Sequence, residues 1–342
     1  MKKSSILDKI IYFFNSVFAT LLLLSYLLPY ISPTSFPSFT ILSLFVPLLI
    51  IINLIFAVYW LIKLRGKFFL SATILFVGYF ISSPYYKFSE ANNSKNSDLR
   101  IMSYNVRMFN FYGWNKDITI EDKIQKFILD KNPDILAVQE YHQSKKIENH
   151  YPFQYIKKKL PSSQFGIAIF SKYEITNSGS FEFESTNNNA IYIDFVKEKD
   201  TIRIYNLHLE SLKIDPDKNN LGSENKEKLI KRVSNSFKKQ GFQVGKILEH
   251  QQNYRGKEIL CGDFNNTAYS WVYKNLSEGK KDAFLEAGKG FGKSFNYPFP
   301  MRIDFILADE NIEINQFNTY SVKYSDHFPI LARINWQKNT EL

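Results

Sequence analysis

Residues 10 to 62 contain no charged side chain. A run of that length cannot be spread over the surface of a water-soluble domain, and it is too long for one buried helix. Its middle, Ser32-Pro33-Thr34-Ser35-Phe36-Pro37-Ser38, combines two prolines with hydroxyl side chains and reads as a turn. The run therefore divides into two spans, near residues 10–31 and 39–62, each close to the roughly 20 residues that cross a bilayer. A third uncharged run, residues 68 to 86, is shorter in its strongly apolar part but sufficient to span. A cleaved signal peptide is the competing reading of the first span. It is disfavoured because the apolar stretch is too long, no small-residue cleavage site closes it and another span follows.

Basic residues in short loops set the orientation of such spans. Lys2, Lys3 and Lys9 precede the first, and Lys63, Arg65 and Lys67 separate the second from the third. Both clusters are expected on the cytoplasmic side. Three crossings then deliver the rest of the chain to the opposite face, outside the cytoplasmic membrane. The expected organisation is a membrane segment over residues 1–89 with about three transmembrane helices, a polar linker over 90–97 and a soluble domain over 98–336. The lipid bilayer is thus an expected partner, and no obligate protein partner is expected.

The net charge of +10 does not mark a nucleic-acid-coating protein. The first 97 residues hold 8 of 43 basic and 2 of 33 acidic side chains, so most of the excess lies beside the spans. A single cysteine, Cys261, rules out an intramolecular disulfide and a cysteine zinc cluster. In its apolar run it reads as a small core residue.

After residue 98, short strand-like segments alternate with a few helices, the pattern of a mixed-sheet α/β domain. Strands are expected at 99–106, 134–139, 165–170, 190–196, 201–208, 258–262, 302–307 and 328–334. An amphipathic helix is expected at 121–130, with Ile124, Phe127 and Ile128 on one face. A long basic helical region at 224–252 is expected to break at Gly241 and Gly245, with a solvated face on which Glu224 and Glu227 are interleaved. Asn105, Glu140, His208, Asp263, Asn265, Asp326 and His327 all fall at or just beyond strand ends. Polar turns put some such residues there anyway, but this set is rich in metal-ligand and acid/base types. In Gly262-Asp263-Phe264-Asn265 the acid and the amide stand two apart, so an extended backbone would aim both into one pocket. His142, His150 and His250 fit no such pattern and read as surface residues. The aromatic stretch from Met108 to Trp114 reads as a loop folded back on the core, with base stacking or lipid contact as the alternative.

Six stretches, in this order, carry a resemblance: Ser103-Tyr104-Asn105-Val106, Val138-Gln139-Glu140, Asn206-Leu207-His208-Leu209, Gly262-Asp263-Phe264-Asn265, Arg302-Ile303-Asp304-Phe305-Ile306 and Ser325-Asp326-His327-Phe328-Pro329-Ile330. Together they resemble the endonuclease/exonuclease/phosphatase superfamily over residues 98–336. The resemblance implies a four-layer α/β sandwich, two packed mixed sheets flanked by helices, here preceded by transmembrane helices. It also implies Mg2+-dependent (or Mn2+-dependent) hydrolysis of a phosphoester. Carried over, Glu140 is the main metal ligand, with Asn105 and Asp326 beside it, an all-oxygen set that suits a hard cation. Asp263 activates water, Asn265 binds phosphoryl oxygens, and Asp304 holds His327 charged against the phosphate. His208 matches the deoxyribonuclease and phosphatase branches, where AP endonucleases carry tyrosine.

The expected activity is endonuclease- or phosphodiesterase-type hydrolysis of a phosphodiester substrate by a membrane-anchored enzyme. A sphingomyelinase- or phosphoinositide-type lipid phosphoesterase is the alternative, and a catalytically silent tethered binding domain is a third reading.

Overall fold

The computed structural model describes residues 5–95, 97–160, 162–213 and 226–336. Lys2, Lys3 and Glu224, used above, lie outside the described residues. Helix α1 (Ile6–Ser25) opens on Ser5, whose side chain accepts the Asp8 amide. A short α2 (Pro37–Thr40) follows, then α3 (Val46–Ile62) and α4 (Phe68–Ile81). The continuous stretches Ile6–Tyr30 and Pro37–Ile62 are long and apolar enough to cross a membrane.

The third apolar run is shorter as a helix than its sequence suggested. α4 has 14 residues, about 21 Å of rise against a hydrocarbon core of ~30 Å. The helix stops where Ser82-Ser83-Pro84 arrives, because the residue before a proline leaves the helical region and proline has no amide to donate.

The three long helices pack together, α1 antiparallel to α3 and parallel to α4. At one end Asp8 of α1 pairs with Lys63 at 2.5 Å, and Lys67 donates to the Asp8 carbonyl. Towards the other end the Tyr26 hydroxyl donates to the Ile74 carbonyl at 2.9 Å. Between them lies a buried polar relay. Trp60 donates to Asn15 at 2.9 Å, Asn15 to Ser71 at 2.6 Å, and Ser71 to Asn53 at 3.0 Å. Bonds of this kind in an apolar bundle contribute roughly 0.6–2 kcal/mol and fix which faces meet.

The soluble domain is two six-stranded mixed sheets packed face to face. One runs β11 (Glu313–Thr319), β12 (Ile330–Asn335), β1 (Leu99–Asn105), β2 (Ile135–His142), β4 (Phe165–Ser171), β3 (Phe153–Lys158). The other runs β5 (Ile175–Ser180), β6 (Ala190–Lys197), β7 (Asp200–His208), β8 (Lys257–Asp263), β10 (Asp304–Asp309), β9 (Lys280–Asp282). The inner core is built from alternate residues: Ile101, Ile135, Ala137 and Ile169 meet Ile193, Ile202, Ile204, Ile259 and Cys261. Each such side chain contributes about 1.5–3 kcal/mol relative to exposure. The out-of-phase residues face helices. Met102, Tyr104, Leu136 and Val138 pack on Ile124 and Ile128 of α5 (Ile120–Lys131), next to α6 (Lys145–Glu148). Tyr205, Leu207 and Leu260 pack on Val244 and Ile247 of α7 (Lys226–Gln252) and Val272 of α8 (Trp271–Leu276). A short α9 (Ala283–Ala287) joins the inner core. The four-layer expectation therefore holds.

Several local expectations change. α7 is unbroken through both glycines, and it buries Val233, Phe237, Val244 and Ile247, so it is an amphipathic packing helix. Gly241 earns its place by contact: a Cβ there would meet Thr34 Cγ2 at 2.8 Å and Pro33 Cγ at 3.0 Å, so the segment joining α1 to α2 lies directly on α7. Strand β10 begins at Asp304 and β12 at Ile330, each two residues later than the pattern suggested. The aromatic stretch divides: Phe109 is core, while Phe111, Tyr112 and Trp114 are exposed. His250 is bonded to the Tyr205 hydroxyl at 3.0 Å, and His142 lies at the end of β2 stacked on Phe111.

Candidate catalytic site

Along the inner face of each central strand the side chains change from apolar to polar towards one end. In β1 the inward series is Ile101, Ser103, Asn105; in β7 it is Ile202, Ile204, Asn206, His208; in β8 it is Ile259, Cys261, Asp263. Period-two alternation carries the core straight into the site. The register then aligns the ends. His208 is paired with Asp263 across β7 and β8, and Asp304, the first residue of antiparallel β10, with Asp263 on the other side.

Glu140 is out of phase with this pattern, since Gln139 already points inward. The pairing of β2 with β4 shifts between Val138 and Tyr141, and Glu140 takes φ +48°. This bulge turns the carboxylate back into the cleft. Asn265 also differs from expectation. It follows β8 with φ +49°, so it approaches Asp263 by a left-handed turn and not by extended alternation. Its backbone N–H donates to Asp263 Oδ1 at 2.8 Å and its side-chain amide to Asp263 Oδ2 at 3.3 Å and the Leu209 carbonyl at 2.9 Å.

The contacts link these residues around one cleft. Asn105 Nδ2 donates to Asp263 Oδ2 at 3.1 Å and reaches Glu140 Oε1 at 3.4 Å. His208 Nε2 stands 3.7 Å from Asp263 Oδ2 and 3.9 Å from Glu140 Oε1. His327 Nε2 stands 3.6 Å from the same Asp263 oxygen, and its Nδ1 is bonded to Asp304 Oδ2 at 2.9 Å. Asp304 is held in turn by Ser294, whose hydroxyl oxygen accepts the Asp304 N–H at 2.9 Å. Asp326 sits at the edge, 3.3 Å from Arg107 Nε. Arg107 and Ser325 were not singled out in the sequence. Ser325 Oγ donates to the Asn105 carbonyl at 2.8 Å and lies 3.1 Å from Asp326, tying the β11–β12 loop to β1. Their signal was position alone: one stands two residues after Asn105, the other directly before Asp326.

Electrostatics separate the groups. Burial raises the Asp263 carboxyl above the usual range, opposed by the charge of His327. Burial also works against a charged His327, but the carboxylates of Asp304 and Asp263 overcome it and hold the ring protonated well above the ordinary imidazole value. His208 is lowered by burial and is neutral near pH 7. Burial and then the charge of Asp326 push Glu140 up.

That last pair tests whether a divalent cation fits. The charge of Asp326 bears on Glu140, and two carboxylates are donors that a hard cation prefers; the Asn105 amide meets Glu140 through Nδ2, while its Oδ1 accepts the Arg107 N–H at 3.1 Å. Asp263, Asp304 and His327 also present ligand atoms within 4.8 Å of one another. In that trio His327 Nδ1 is already engaged by Asp304.

The residues after Asp263 also meet the segment between α2 and α3. Ser43 Oγ donates to Asn266 Oδ1 at 3.3 Å, and Thr267 Oγ1 donates to the Ser43 carbonyl at 2.9 Å. Tyr269 is buried with Leu22, Tyr26, Leu28 and Val46.

Comparison with known proteins agrees with this construction. No curated protein matches the chain in sequence. Residues 8–85 match the model of a domain of unknown function (DUF8431). The fold is similar to that of a functionally unknown conserved protein from Enterococcus faecalis, at TM-score 0.53 and 16% identity over 70% of this chain and 100% of that one. It is similar to the human Nocturnin catalytic domain, solved with a bound sulfate anion, at TM-score 0.54 and 16% identity over 74% of this chain and 97% of that one. It is similar, too, to an endonuclease/exonuclease/phosphatase from Beutenbergia cavernae, at TM-score 0.50 and 14% identity over 70% and 71%. The Endonuclease/Exonuclease/phosphatase family model itself matches residues 102–327, which hold every residue of the cleft, and the chain therefore belongs to that family.

Proposed function

We propose that the protein is a membrane-anchored, divalent-metal-dependent phosphoester hydrolase. The observation that carries the reading is Asp263: a buried carboxylate bracketed by His208 and His327 and held by Asn265 and Asn105. Raised by burial, it is poised to take a proton from an attacking water near neutral pH. His327, kept charged by Asp304, donates from Nε2 to the phosphoryl oxygens and opposes the charge that grows on them. Neutral His208 adds a hydrogen bond at the cleft's other wall. Asn265 orients Asp263 and borders the phosphoryl position. Glu140, Asn105 and Asp326 would hold the cation, which supplies charge neutralisation at the phosphate when bound. Three helices cross the bilayer in this reading, with α4 completed by neighbouring residues. Lys63 and Lys67 sit at the bundle end away from Ser43 and Ser83, which touch the soluble domain. By the positive-inside rule the catalytic domain is then extracytoplasmic.

The test is a phosphoester panel (DNA, RNA, sphingomyelin, phosphoinositide, an aryl phosphodiester) on the full chain with Mg2+ and with EDTA. Turnover lost on chelation and in Asp263→Asn supports the reading; turnover in none of them, or undiminished in Asp263→Asn, rejects it.

A further inference from the structure

We propose that an apolar pocket beside the catalytic cleft binds the hydrocarbon tail of a phosphoester lipid taken from the bilayer. The inference rests on the phosphoesterase reading and names the substrate class. Leu44 and Phe45 form one wall; Leu212, Tyr297, Phe299 and Met301 of the soluble domain form much of the rest. The cavity is narrow, about 100 Å3, and opens to solvent.

Three observations choose the occupant. The pocket is continuous with the chemistry. Asn265 lines it and bonds Asp263, while Phe295, another lining residue, has its ring centroid 5.0 Å from that of His327. A molecule with its phosphate at Asp263 would therefore extend its far end into the pocket. Next, one wall belongs to the first turns of the second bilayer-length stretch, Pro37–Ile62, just after the connector from the first. The chain there exposes Phe36, Phe39, Leu42 and Phe45, each about half exposed or more. Apolar side chains in that position meet acyl chains and headgroups, so the pocket mouth stands where lipid is supplied. Finally, Ser211, Lys213 and Asn265 give the lining little polarity. A polyanionic strand would need phosphate-binding groups along it. Lys157, in the lysine-rich strand end that borders His208, is instead paired with Glu182.

The experiment measures kcat/KM of the full chain in mixed micelles. Phosphatidylglycerol, phosphatidylethanolamine, phosphoinositide and sphingomyelin are each presented in a long-chain and a short-chain form, with a tail-less aryl phosphodiester alongside. We expect the wild-type protein to favour a long-chain form over its short-chain counterpart by about tenfold or more, and Phe299→Ser and Leu44→Gln to shrink that ratio by about tenfold. Leu44 is buried; if Leu44→Gln fails to fold, the partly exposed Phe299 decides. A wild-type ratio near one, a ratio unchanged in folded Phe299→Ser, or DNA or RNA cleaved in preference to every lipid overturns the inference. Cleavage of the aryl phosphodiester that is lost in Asp263→Asn, with no lipid cleaved, ends the tail pocket but leaves the catalytic reading standing. Cleavage of no phosphoester at all ends both.

Discussion

Gln139 and Asn206 join the two sheets directly beneath the catalytic cleft: Gln139 Nε2 donates to Asn206 Oδ1 at 2.6 Å. Gln139 also donates to Ser103 at 3.1 Å, and Asn206 donates to the Val138 and Ala168 carbonyls at 3.1 and 2.8 Å. Glu140 and His208 lie one and two residues further along the same strands. The pair thus sets the separation between Glu140 on one sheet and His208 on the other. Gln139→Leu leaves an Asn206 acceptor buried and unpaired, a loss of about 1–3 kcal/mol. A lowered melting temperature together with an at least tenfold drop in turnover is the expected result. A variant that melts lower but turns over normally would show that the pair serves stability alone.

Asp263→Asn keeps the shape of the side chain but removes its basicity. Turnover is expected to fall by about 10²–10⁴-fold, with substrate binding and circular dichroism unchanged. Retained binding measured alongside lost turnover separates a missing proton acceptor from a collapsed site.

The pH dependence follows from two opposite requirements. Asp263 must be ionised, and burial raises it, so activity rises with pH through a value above the ordinary carboxylate range of about 4. His327 must be protonated, and Asp304 with Asp263 raises it against burial, so activity falls only above the ordinary imidazole value of about 6.5. Asp304→Asn withdraws one of those charges. Its pH–rate profile should lose the alkaline part of the plateau while the acid limb persists. An alkaline limb that stays in place would detach it from His327.

Glu140→Gln keeps an oxygen but removes the charge that the cation neutralises. The Mg2+ concentration giving half-maximal activity should rise at least about tenfold, and EDTA should abolish wild-type turnover reversibly. A metal titration by calorimetry reads the same loss without relying on catalysis.

Gly262 sits at φ +133° in β8, and a Cβ there would overlap the Leu207 carbonyl of β7. Gly262→Ala should destabilise the domain by about 2 kcal/mol or more. It should also displace Asp263 against its register partner His208, so both melting temperature and turnover fall.

Much of the site could be read from the chain because period-two alternation needs no tertiary information. Isoleucine inside giving way to a polar side chain at the same end is visible in β1 (Ile101, Ser103, Asn105), β7 (Ile204, Asn206, His208) and β8 (Ile259, Cys261, Asp263). Glu140 and Asn265 were placed at the site by type and position, but the way each arrives there depends on a left-handed residue, which the sequence does not display outside glycine. Strands β5 and β11 were missed for a different reason. Ile-Thr-Asn-Ser-Gly-Ser and Glu-Ile-Asn-Gln-Phe-Asn-Thr lie towards sheet edges, where hydrogen bonding to a neighbour substitutes for an apolar pattern. Gly241 looked like a helix breaker because the partner that requires it, the connector at Pro33 and Thr34, is some two hundred positions away.

The bonds from Ser43 to Asn266 and Thr267 have a practical consequence for anyone handling this protein. A fragment trimmed to begin after the apolar helices would be easier to purify, yet it would arrive with the turn that follows Asp263 unbraced. Activity absent from such a fragment would say little about the intact chain, whose N-terminal helices are also part of its scaffold.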